Sequence, residues 1–131
     1  MSNDTDLLTP EDLLPLIQDI ARRMPDAKNP VKMNDGTGMA AYVCLYTDPN
    51  DTERHCIVGQ LASEQGWQMP PIGNTESAGH NAVVLNWPVN ARAAGVLSSL
   101  QTVADGDAFG STVTTKAWGD IDLSSVYAWM G

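Results

Sequence analysis

Between Met39 and Trp67 the hydrophobic period of the chain changes from two to helical, and that switch restricts the fold more than any other feature. Ala41, Val43 and Leu45 alternate with Tyr42, Cys44 and Tyr46, the pattern of a β-strand running from Met39 to Thr47. Both sets are fairly apolar, so the strand is expected to be covered on both faces. Asp48-Pro49-Asn50-Asp51 is a strong turn, because Asp and Asn side chains bond to nearby backbone and Pro presets its own φ. Glu53 to His55 can return antiparallel. Ile57, Val58 and Leu61 then share one face of a predicted helix, and Gly66 is its natural end. Gly59 inside that helix costs about 1 kcal/mol relative to Ala. Close approach of a neighbouring backbone or aromatic ring would account for it.

Other elements are placed by the same rules. Residues 1–8 are expected to be flexible. Thr9-Pro10-Glu11-Asp12 reads as a helix start, with a capping hydroxyl, Pro at the first helical position and acids at the positive end of the dipole. Leu13, Leu16, Ile17, Ile20 and Met24 recur at helical spacing until Pro25, and Pro15 predicts either a kink or a later start. Residues 26–38 read as a loop with turn signals at Asn29-Pro30 and Asp35-Gly36-Thr37-Gly38, and residues 68–80 as a second loop. Asn81 to Asn86 is ambiguous between strand and helix. Trp87-Pro88 is predicted to open a helix whose apolar face is Val89, Ala93, Val96, Leu97, Leu100 and Val103, ending at Asp105-Gly106. Thr112 to Thr115 has strand propensity. The tail from Ile121 to Trp129 is apolar enough to pack back on the body.

Length and composition set outer bounds. The 131 residues, 43% hydrophobic and 18% charged, suit one globular domain and not a disordered chain. No internal repeat or linker divides them. Sixteen acidic and seven basic residues give a formal charge of −9. Such a surface repels phosphate backbones and anionic lipid, which argues against direct nucleic-acid or membrane binding and leaves solubility alone as the plainer reading, beside a basic partner surface or mimicry of nucleic-acid charge. The acidic start lacks a secretion signal, and no apolar run approaches the roughly 18 residues of a membrane span. The expected location is therefore the cytoplasm. There the two cysteines, Cys44 and Cys56, are thiols.

The run Cys44-Leu45-Tyr46, the turn, Cys56-Ile57-Val58-Gly59 and the helix ending at Gly66 resemble a group of uncharacterised small proteins of actinobacteria and their phages. Trp87-Pro88, Gln101 and Asp105-Gly106-Asp107-Ala108-Phe109-Gly110 match the later part of that pattern, with Phe109 in a Trp position. The likeness covers about residues 10–117, is most specific from Cys56 to Gly66, and fails over Ala117 to Gly131. It implies a setting in an actinobacterial or phage-infected cytoplasm, and a helix rather than a strand over Phe109 to Thr115. It implies no activity.

Several constellations invite chemistry. Cys44, His55, Cys56 and His80 are zinc-ligand types, but they lack the Cys-x2–4-Cys spacing of structural sites, and packed thiols are the plainer reading. Cys56 near a helix start, with His55 or His80, has the makings of a thiol nucleophile, yet Ile57 and Val58 suggest a packed turn. The pairs Asp105/Asp107, Asp120/Asp122 and Asp48/Asp51 fall in turns, where Asp is expected for local hydrogen bonding. Asp35-Gly36-Thr37-Gly38 and the stretch Gly73 to Gly79 lack the P-loop Lys and the dinucleotide spacing.

The sequence thus predicts an α+β domain over residues 9–131, a β-hairpin packed against three to four helices. No cofactor, metal or catalytic residue is assigned. The expected role is a small acidic accessory protein acting by binding, phage-encoded and directed at a host protein, with a homodimer compatible. Its expected interaction surface is the Trp set Trp67, Trp87, Trp118 and Trp129, since Trp flanking turns either caps a core or centres an interface. The alternatives are a small-molecule or nucleotide-binding protein using Asn74, Thr75, Glu76, Ser77 and His80, or a thiol-dependent enzyme.

Overall fold

Thr9 and Asp12 close the first helix at its start. The Thr9 N–H donates to Asp12 Oδ2 at 2.9 Å while the Asp12 N–H donates to Thr9 Oγ1 at 3.2 Å, a reciprocal capping box. In this computed structural model, which describes residues 7–34, 41–44, 46–48, 51–71, 77–105 and 116–128, that helix is α1, Pro10–Arg23. It runs through Pro15 without ending there. Leu13, Ile17 and Ile20 are its buried stripe, and Arg23 reaches across to Glu64 at 2.6 Å.

The strand expected from Met39 to Thr47 is two strands with different partners. β1, Val31–Asn34, pairs antiparallel with β2, Ala41–Cys44, in the register Val31↔Cys44 to Asn34↔Ala41. β3, Thr47–Asp48, pairs with β4, Asp51–His55, around the predicted turn. β1 corrects the reading of residues 26–38 as loop throughout. The turn after α1 falls at Pro25 and Asp26, Asn29 accepts from Ile57 and Trp118 through its side-chain oxygen, and the chain is extended from Val31. Cys44 therefore has Val31 as its cross-strand neighbour, where a single hairpin would have set it across from Cys56.

Cys56 instead caps the next helix, α2, Ile57–Gln65. Gly66 terminates α2 in the left-handed region at φ 76°, which lets the Trp67 N–H reach the Ala62 carbonyl at 2.9 Å. Gly59 is explained by Tyr46: a Cβ at position 59 would stand 2.5 Å from the Tyr46 carbonyl oxygen, the same oxygen that accepts the Cys56 N–H at 3.2 Å.

α3, Ala78–Val84, and α4, Ala91–Asp105, follow. The ambiguous run from Asn81 is thus helical, and α3 takes up Gly79 and His80, which the loop reading had placed before it. α4 does not open at Trp87-Pro88. Asn86 takes φ 57°, and Asn90 accepts the Ala93 N–H at 2.8 Å, so capping at Asn90 sets the start. Val89 is consequently off the helix. It forms a parallel bridge with Leu8, with the Leu8 N–H on the Pro88 carbonyl at 2.8 Å and the Asn90 N–H on the Leu8 carbonyl at 3.0 Å. Leu8 is therefore docked, where a flexible start to residue 8 was expected.

A short 3-10 turn, Trp118–Asp120, and α5, Leu123–Tyr127, complete the described chain. The described part of the tail packs back, with Val126 buried and the Tyr127 hydroxyl on the Pro10 carbonyl, and Trp118 just before it is buried too. The architecture is α+β. Two two-stranded antiparallel sheets are found among the described residues. The core sits between α1, α2, α4 and the C-terminal segment, built from Leu13, Ile17, Ile57, Leu61, Leu97 and Leu100, among others. Asp105 ends α4 as expected, whereas residues 109–115 lie outside the described ones.

Candidate functional site

α3 is divided into a small face and a bulky face. Ala78, Asn81 and Ala82 are buried. The Ala78 N–H donates to Gln101 Oε1 at 3.0 Å and the Gly79 N–H to Ser98 Oγ at 2.7 Å, which binds the start of α3 to α4. A Cβ on Gly79 would come within 2.9 Å of that Ser98 oxygen. Small residues let the helices approach, and the helical repeat then turns positions 80, 83 and 84 together away from α4. His80 is exposed, and so are Val83 and Val84, at 79% and 62%. α3 carries no Asp, Glu, Lys or Arg in a chain of net charge −9. Val83 and Val84 are the large hydrophobic side chains that stand exposed among the described residues, and two of them side by side make the kind of patch that marks a contact site.

Of the predicted ligand residues the structure describes Ser77 and His80. Ser77 is the N-cap of α3, its Oγ accepting the His80 N–H at 3.2 Å. His80 lies on the exposed face just described. Asn74, Thr75 and Glu76 lie outside the described residues.

The predicted tryptophan surface is corrected by burial. Trp87 is 3% and Trp118 2% exposed, so both belong to the core and cannot form a rim. Each satisfies its indole N–H inside: Trp87 Nε1 donates to the Gln68 carbonyl at 2.7 Å and Trp118 Nε1 to Asn29 Oδ1 at 3.0 Å. Trp67 is half-buried against Trp87, with ring centroids 5.4 Å apart and planes tilted by 33°. Trp129 lies outside the described residues.

Candidate metal and thiol residues take other tasks. His55 Nδ1 and Thr47 Oγ1 share a hydrogen bond of 3.0 Å across β3 and β4. Cys56 is fully buried and its Sγ accepts the Gly59 N–H at 3.2 Å. Among the described residues no three His, Cys, Asp or Glu side chains gather as a metal site would need. Asp48 is drawn to Arg54 at 3.3 Å, and Asp51 accepts the Glu53 N–H at 3.2 Å. Asp122 caps α5, and hydrogen bonds from Ser124 and then Ser125 hold its carboxyl below the usual range. Asp107 and the segment from Asp35 to Gly38 lie outside the described residues.

One hollow of about 360 Å³ opens at the start of α4, lined by Leu7, Val89, Asn90, Ala91 and Arg92. No described helix is long and apolar enough to cross a membrane.

The α3 patch escaped sequence reading, although its signal was present. Ala78, Gly79 and Ala82 mark a close-packing stripe, and Val83-Val84 are the bulky residues that such a stripe pushes outward. Without knowing that Ser98 and Gln101 lie opposite, the stripe reads as loop. No family model, curated protein or solved structure matches the chain.

Proposed function

We propose that this chain is a small acidic accessory protein that works by binding, encoded by an actinobacteriophage and directed at a protein of its host. The observation that carries the reading is the exposed Val83–Val84 pair on the uncharged outer face of α3. Burial of a valine stabilises by about 1.5–3 kcal/mol, so two of them covered by a partner could form the centre of an interface. The net charge of −9 favours a partner whose contact surface is basic around an apolar centre, since complementary charge speeds encounter and suppresses wrong partners. The actinobacterial and phage setting rests on the resemblance around Cys44 to Gly66.

The test compares the wild-type chain with the Val83→Asp, Val84→Asp double variant. Each is immobilised and exposed to actinobacterial lysate, and any protein retained is purified and titrated against both. The reading expects a retained protein whose affinity falls at least tenfold for the variant and weakens with added salt. Capture of nothing but the chain itself, or equal affinity for both forms, would overturn it.

A further inference from the structure

We draw no further inference here: the strongest candidate, the hollow at the start of α4 lined by Leu7, Val89, Asn90, Ala91 and Arg92, pairs a helix N-terminus with one exposed arginine, and no buried, unpartnered side chain among the described residues indicates what would fill it.

Discussion

Asn29 Oδ1 accepts two hydrogen bonds from distant parts of the chain, one from Trp118 Nε1 at 3.0 Å and one from the Ile57 N–H at 2.9 Å. Asn29 is 2% exposed, so water does not compete for either donor. A single side-chain oxygen thus joins the segment after α1, the first turn of α2 and the C-terminal segment. Asn29→Ala leaves two buried donors unpaired, at about 1–3 kcal/mol each. Urea unfolding should show a loss of at least about 2 kcal/mol, and a double-mutant cycle with Trp118→Phe should return a coupling on the order of 1 kcal/mol. Strict additivity would show that the contact contributes nothing of its own.

Gly59→Ala should reverse the usual helix preference. In an open helix the change gains about 1 kcal/mol. Here the added carbon would sit 2.5 Å from the Tyr46 carbonyl, against backbone that cannot step aside alone. A net destabilisation of about 1–3 kcal/mol is expected, the range for overpacking. Thermal unfolding of the variant decides the sign.

Cys56 should react with alkylating reagents only as the protein opens. Its side chain is fully buried, and its Sγ faces the first turn of α2. Labelling followed by peptide mass spectrometry should show modification of Cys56 rising with urea along the unfolding curve. Rapid labelling in native buffer would contradict the placement.

Two groups give stability a pH dependence of opposite sense. Tyr127 is pushed up to about 12, by burial first and by the Glu11 charge second. Its neutral form is favoured by the fold, so the associated stability is whole below pH 10 and lost as pH rises toward 12. Asp19 is held below the usual carboxylate range by hydrogen bonds from Arg22 and then Arg23. Its contribution is present above about pH 4 and lost as pH falls through the lowered value, and it is small because the group faces solvent. Tyr127→Phe should flatten the alkaline limb of the stability curve and leave the acid limb unchanged.

The Val83→Asp, Val84→Asp variant should fold as well as the parent. Exposed positions usually respond within about 0.5 kcal/mol. A matching unfolding midpoint is what allows any lost binding to be assigned to the α3 surface.

Residues whose roles are local were readable in the sequence. Thr9 and Gly66 obey capping rules that need only their neighbours. Gly59 was anticipated to permit a close approach, and the Tyr46 carbonyl is what approaches. Residues whose roles depend on distant partners were not readable. The sequence points to Trp87-Pro88 as a helix start, whereas Asn90 caps α4 and Leu8 pairs along the segment before it. β1 follows a convincing turn signal and has its partner beyond a second one. Trp87 and Trp118 flank turns, a position that suits either capping the core or centring an interface, and the Gln68 carbonyl and Asn29, which supply their indoles with acceptors inside, decide for the core. The candidate site was hidden for the same reason, since its outward face exists only because α4 occupies the other one.

The hydroxyl of Tyr127 donates to the carbonyl of Pro10 at 2.7 Å, and the Trp118 and Gly119 N–H groups donate to the Ala27 and Pro25 carbonyls at 2.8 and 2.9 Å. The C-terminal segment therefore grips α1 at both ends, on its first residue Pro10 and just past Arg23. Neither piece can fray alone without breaking the other's contacts. In amide hydrogen exchange, α1 and residues 116–128 should behave as one cooperative opening unit, losing protection together although most of the chain lies between them.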